Sequence, residues 1–106
     1  MTAVLVALLS FAPMTQVPKD AARVTVTVVD QTGAVIPNAK VTVTPVPDPG
    51  AAAASGTTND KGVAALTGLT PGRYTIRAEF PGFEPRILKD VSIKSGDNRH
   101  IAVLAI

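Results

Sequence analysis

From Arg23 the chain alternates apolar and polar side chains one by one, with Val24, Val26 and Val28 separated by Thr25 and Thr27. A repeat of two is the spacing at which a β-strand sends successive side chains to opposite faces, one dry and one wet. The pattern returns in Val41 and Val43 between Lys40, Thr42 and Thr44. It returns again in Tyr74, Ile76, Ala78 and Phe80 between Arg73, Thr75, Arg77 and Glu79. Val, Ala, Thr, Pro and Gly dominate the composition, while helix builders such as Glu, Lys and Leu are scarce. Stiff β-branched residues suit a pleated surface, and Pro and Gly punctuate turns.

The punctuation is regular. Asp30-Gln31-Thr32-Gly33 and Pro37-Asn38 supply the first turns, and Pro45, Pro47 and Pro49 end the second strand because proline cannot donate to a ladder. Pro45 to Ser55 is low in complexity and reads as an exposed connecting loop,. Thr57 to Gly62 reads as a strand end and a tight hairpin turn, with Asn59-Asp60 and Gly62 at the positions that need positive φ,. A short apolar strand from Val63 to Leu66 precedes a turn at Leu69-Thr70-Pro71-Gly72, and Pro81-Gly82-Phe83 breaks the Tyr74 strand. Ile87 to Ile93 and His100 to Ile106 complete the set. About seven short strands with turn signals every eight to twelve residues predict an all-β, seven-stranded Greek-key sandwich of the transthyretin-like or immunoglobulin-like kind.

A chain of 106 residues makes one domain with a single thin core. The expected division is a leader and short linker over residues 1–22, then the sandwich over residues 23–106. Ala3 to Ala12 is an apolar run bounded by Pro13, suited to a signal-peptide core and short of the ~20 residues that a membrane-spanning helix needs. No Lys or Arg precedes it, and a first strand or buried helix is the competing reading. Export predicts a mature N-terminus between Pro13 and Arg23, with the protein secreted or periplasmic at the cell envelope.

The net charge of +2 comes from scattered basic residues, without the concentrated basic face and stacking aromatics of a nucleic-acid binder. Cysteine is absent, which excludes thiol nucleophiles, disulfides and thiolate metal sites.

The opening Val28-Val29-Asp30-Gln31-Thr32-Gly33-Ala34-Val35-Ile36-Pro37-Asn38-Ala39-Lys40-Val41 resembles that of carboxypeptidase regulatory-like domains: strand, Gly-Ala turn, Pro-x-Ala, strand. Thr58 to Gly62, then Leu69-Thr70-Pro71-Gly72-Arg73-Tyr74, is similar to the family's second signature, and Phe80-Pro81-Gly82-Phe83 to the turn after its Tyr strand. The likeness covers Arg23 to Ile106 and implies a non-catalytic module of the sort that accompanies peptidases, TonB-dependent receptors and surface proteins. With the module standing nearly alone, its task is expected to rest on an exposed face or edge strand that meets a cell-envelope protein, the alternative being a truncated relic of a larger receptor. In physical terms the same residues are folding signals. Gly33, Gly62, Gly72 and Gly82 are expected where a turn needs positive φ or no side chain. Tyr74 is expected to bury its ring and satisfy its hydroxyl locally, as a tyrosine corner does.

No catalytic, metal or cofactor residues are assigned. His100 is the only histidine and would have to serve as base in any Ser-His-Asp set,. Its place at the start of the last strand, beside Asp97 and Arg99, marks a solvated edge position instead. Asp48 and Asp60 lie in turn contexts that explain them without calcium. Hydroxyisourate hydrolases share a similar sandwich but carry several histidines and a C-terminal Tyr-Arg-Gly-Ser, whereas this chain ends Ala102-Val103-Leu104-Ala105-Ile106. Surface-adhesin domains that form Lys–Asn isopeptide bonds need a lysine on the first strand, where this chain has Val and Thr. Carbohydrate binding is the alternative, with Tyr74, Phe80 and Phe83 as the candidate aromatics. If Tyr74 and Phe80 share the inward parity, only Phe83 is free to stack.

Overall fold

The computed structural model describes residues 21–46 and 53–106. The leader expected over residues 1–22 lies outside them apart from Ala21 and Ala22, as does the stretch 47–52 of the expected loop. Seven strands carry the described fold: β1 (Ala22–Asp30), β2 (Lys40–Pro45), β3 (Ala54–Thr57), β4 (Val63–Leu69), β5 (Gly72–Glu79), β6 (Arg86–Ile93) and β7 (Gly96–Leu104). They form a three-stranded sheet in the order β4-β1-β7 and a four-stranded sheet in the order β3-β2-β5-β6. All pairings are antiparallel except β1 with β7, which run parallel in unbroken register from Ala22–Gly96 to Asp30–Leu104. The sheets stack with β4 over β3 and β7 over β6. The chain is therefore the all-β sandwich that its alternation predicts.

The inward parity is as expected. Val24, Val26 and Val28 of β1, Val41 and Val43 of β2, and Ile76 and Ala78 of β5 are fully buried, with Ala102 and Leu104 of β7 closing the same core. Each fully buried Val, Leu or Ile contributes about 1.5–3 kcal/mol relative to an exposed one. The interior has one buried polar side chain among the described residues, Thr58. Its hydroxyl donates to the carbonyl oxygen of Ile36 at 2.6 Å and accepts from the N–H of Ala39 at 2.8 Å. The backbone adds Thr58 N–H to Ala39 O and Asn38 N–H to Thr58 O, both 2.9 Å. Thr58 thus ties the Pro37-Asn38 turn to the end of β3.

Several expectations need correction. The loop expected from Pro45 to Ser55 is shorter at both ends. Pro45 is the last residue of β2, opposite Tyr74, while Ala54 and Ser55 belong to β3, opposite Val43 and Thr42. β2 supplies an open ladder, and pairing overrides weak strand propensity. The Thr57–Gly62 segment is not a hairpin: β3 lies in one sheet and β4 in the other. Of its residues only Gly62 has positive φ, while Asn59 closes the turn by accepting the N–H groups of Lys61 and Val63 through Oδ1. The Thr70-Pro71 turn changes sheets in the same way, between β4 and β5. Gly72 needs neither positive φ nor a missing side chain, because an added Cβ would meet nothing closer than 3.9 Å.

The last strand begins at Gly96, four residues before His100, and ends at Leu104. Asn98 makes this early start practicable. Its side chain accepts from the N–H of Lys94 and donates to the carbonyl oxygen of the same residue, closing the turn while Gly96 N–H already bonds Ala21 O.

Candidate functional site

The residues considered for catalysis do not converge. His100 sits mid-strand on β7, half-buried, rather than at the strand's start. Asp97 is committed to Arg23, which donates from Nε at 2.7 Å. Among the described residues no three His, Cys, Asp or Glu side chains gather as a metal cluster. Asp60 is exposed in the turn that Asn59 closes, and Asp48 lies outside the described residues. Among the described residues Asp30 has a carboxyl that its surroundings shift clearly. The Thr32 hydroxyl, with the Thr32 and Ala34 N–H groups, donates to its Oδ1 and holds the carboxyl below its ordinary value of 3.8. Those bonds shape the turn that follows β1.

The aromatic residues follow the expected parity in part. Tyr74 is buried, with its hydroxyl on the Thr70 carbonyl oxygen at 2.6 Å, the local satisfaction expected of it. Phe80 packs against the core on the same side as Tyr74, as expected, but lies just beyond the end of β5 and is half-buried rather than buried. The reason is the turn: Phe83 N–H bonds Phe80 O at 3.0 Å, so the chain leaves the strand plane there. Phe80 and Phe83 are paired at a centroid distance of 6.1 Å and a tilt of 59°. They border an open groove of about 390 Å³ together with Asn38, Lys40, Glu79 and Pro85. Two tilted rings covering each other do not make a flat platform, and Phe83 is not free to stack alone.

A second surface was less visible in sequence. The outward residues of the three-stranded sheet form rows set by its register. Val63, Thr27 and Ile101 share one row, and the next is Val35, Val29 and Val103. Ile101 is 65% exposed, Val35 45% and Val103 43%. Scattered single apolar residues on a surface mean little, but adjacent rows of them mark an interaction face. The alternation of β7 gave the only sequence signal, and which neighbours align with it depends on the topology.

The backbone of β7 adds to that face. Gly96 N–H bonds Ala21 O toward β1, whereas Ala105 O accepts Glu84 N–H at 2.6 Å from the opposite side. In a parallel ladder each residue turns both its backbone groups to one side, and neighbours alternate. Even-numbered residues of β7 therefore face β1, and Arg99, Ile101 and Val103 present N–H and C=O outward. Among the described residues no hydrogen bond reaches those outward groups.

Comparison with known proteins agrees with this architecture. A family model described as the carboxypeptidase regulatory-like domain matches residues 23–104. No curated protein matches the chain. Among solved structures, the Bacillus anthracis TIE protein superposes with a TM-score of 0.60 at 24% identity over 80% of this chain. A group B streptococcus pilus 2b backbone protein gives 0.58 at 17% identity over 79%. A chain of a type II cohesin–X-dockerin complex from Acetivibrio cellulolyticus gives 0.56 at 15% identity over 78%. The chain spans 17%, 40% and 56% of those solved chains respectively.

Proposed function

The chain belongs to the carboxypeptidase regulatory-like domain family, and from that membership we propose a non-catalytic module of an exported protein, acting as a structural or protein-interaction domain at the cell envelope. The observation that carries this reading is the pair of apolar rows on the outer face of the three-stranded sheet, with Ile101 65% exposed. Apolar surface that a small domain leaves in water is stabilised when a partner covers it. The similar solved chains, two of them from a pilus backbone protein and a cohesin–X-dockerin complex, are compatible with a structural or interaction role. The leader and linker over residues 1–22 would direct export of the sandwich over residues 23–106. N-terminal sequencing of secreted or periplasmic material should start between Pro13 and Arg23. Intact Met1 found only in the cytoplasm of a host with the native secretion machinery would remove the export step.

The interaction itself is tested by a photo-crosslinking residue placed at Val29 in producing cells, with Thr75 on the opposite sheet as control. A discrete adduct from Val29 and none from Thr75 supports the reading. Adducts from neither position, or from Thr75 alone, would contradict it.

Carbohydrate binding is the second reading. It rests on the half-buried Phe80–Phe83 pair with Asn38, Lys40 and Glu79 at the groove margin. Calorimetry with oligosaccharides should then show heat that Phe83→Ala abolishes, and heat unchanged by that substitution would set the groove aside.

A further inference from the structure

Among the described residues the sandwich has four edge strands, and three of them are blunted. β3 is four residues long. β4 carries an extra residue opposite Ala22–Val24, with Gly68 at φ 76°. β6 carries an extra residue opposite Tyr74–Ile76, with Asp90 at φ 54° and Lys89 exposed beside it. Short length, bulges and lysines are the devices that stop an edge from recruiting another strand. β7 has none of them: it is nine residues long, shows no register shift against β1, and puts Ile101 and Val103 beside its outward backbone groups.

We propose that the free edge of β7 receives an extended segment of another protein as an added antiparallel strand, with apolar side chains alternating with acidic ones. This deepens the interaction reading above and rests on it. The direction follows from Glu84, which already bridges Ala105 in antiparallel sense at one end of this edge. The alternation follows from the two faces that the added strand would join. On its outer face its side chains would extend the rows of Ile101 and Val103. On its inner face they would point toward β6, beneath β7, where exposed Arg86 takes the inward register opposite Ala78 and Lys94 lies in the following turn. The unpaired charge there is mostly positive. Asp97 is paired with Arg23 and Asp90 with Arg73, while Arg86, Lys94 and Arg99 have no ion-pair partner among the described residues, against the single unpaired acid Glu84 at the Ala105 end. A second copy of this chain would bring the same cations to the edge and be repelled, whereas an acidic strand is attracted. Main-chain bonds give such an addition its affinity, and alternate side chains give it selectivity.

The test uses the full chain and a nine-residue peptide alternating valine with glutamate, against one alternating valine with lysine. Fluorescence anisotropy should show the glutamate peptide binding at least about tenfold more tightly, and methylation of its edge-facing amides should remove binding. Hydrogen exchange should show slow amides at His100 and Ala102 and fast ones at Arg99, Ile101 and Val103, the peptide slowing only the odd set. Ile101→Pro deletes an outward N–H that β1 does not use, so the fold should survive while peptide binding is lost. Binding that leaves the odd amides fast would overturn the edge site, as would equal affinity for the lysine peptide. Odd amides already slow in the free chain would overturn it too, by assigning the edge to the chain's own N-terminal segment or, if dilution frees them, to a second copy. A Val29 crosslink that persists beside any of these failures would leave the interaction reading standing.

Discussion

The Tyr74 hydroxyl donates a 2.6 Å hydrogen bond to the carbonyl oxygen of Thr70, four residues earlier, across the turn that carries the chain from β4 in one sheet to β5 in the other. The ring is 5% exposed, so a single side chain both fills the core and fastens a change of sheet. Tyr74→Ala should cost about 3 kcal/mol or more through lost burial and a cavity. Tyr74→Phe keeps the ring and should cost about 1 kcal/mol. Urea denaturation followed by circular dichroism measures both, and an alanine cost below about 1 kcal/mol would mean that the ring is not a core element.

Thr58 offers a cleaner separation of polar from apolar terms. Thr58→Val keeps the shape but leaves Ile36 C=O and Ala39 N–H without their partner in a buried site. The expected loss is about 2–4 kcal/mol. Thr58→Ser retains the hydroxyl and should lose much less, so the difference in urea midpoint between the two variants reads the hydrogen bonds. A Thr58→Val loss no larger than that of Thr58→Ser would show that the hydroxyl's bonds contribute no more than the methyl group.

Gly62 and Gly33 form a matched pair. Both hold positive φ, 73° and 89°. A Cβ at Gly62 would lie 2.8 Å from Val35 Cβ and 2.9 Å from Val28 O, whereas one at Gly33 would meet nothing within 4 Å. The left-handed conformation alone costs a non-glycine residue about 1–2 kcal/mol. Gly33→Ala should lose about that much and Gly62→Ala clearly more, since the backbone oxygen cannot swing away. Comparable thermal midpoints for the two variants would contradict the crowding.

Asp30 sets an acid-side dependence. The Thr32 hydroxyl and the adjoining N–H groups lower its folded pKa below 3.8. The stabilisation is therefore present above the unfolded value and lost as pH falls through the folded one. The advantage of wild type over Asp30→Asn should be constant near neutral pH and shrink on acidification below about pH 3.8. A carboxyl titration by NMR with its midpoint at or above that value would remove the effect.

The sandwich was legible because burial follows parity, and parity is written in Val24-Val26-Val28 and Tyr74-Ile76-Ala78. β3 was not legible, since Ala54-Ser55-Gly56 has no alternation of its own and becomes a strand only beside β2. Turn residues announce a reversal without saying whether the chain pairs with itself or crosses to the facing sheet. The Asn59 and Pro71 turns do the latter. Phe80 keeps its place against the core but is only half-buried, because its turn bond to Phe83 takes the chain out of β5. The candidate edge was hidden for a topological reason: nothing local to residues 96–104 reveals that β1 will cover one side of them and leave the other open.

The parallel pairing of β1 with β7 has a mechanical consequence. Ala22 lies beside Gly96 and Asp30 beside Leu104, so the start of β1 and the end of β7 sit at opposite ends of one ladder. Tension applied between Ala22 and Leu104 would load that ladder lengthwise, straining its hydrogen bonds together rather than one after another. Tension between Lys40 and Glu79, which are direct partners at one end of the antiparallel β2–β5 pair, would instead peel the strands apart stepwise. Single-molecule pulling along the two axes should therefore give a higher rupture force through Ala22 and Leu104, and equal forces would show that the ladder does not bear the load. In a module joined to a larger assembly at those two points, resistance to pulling would come from strand direction alone, with no covalent cross-link.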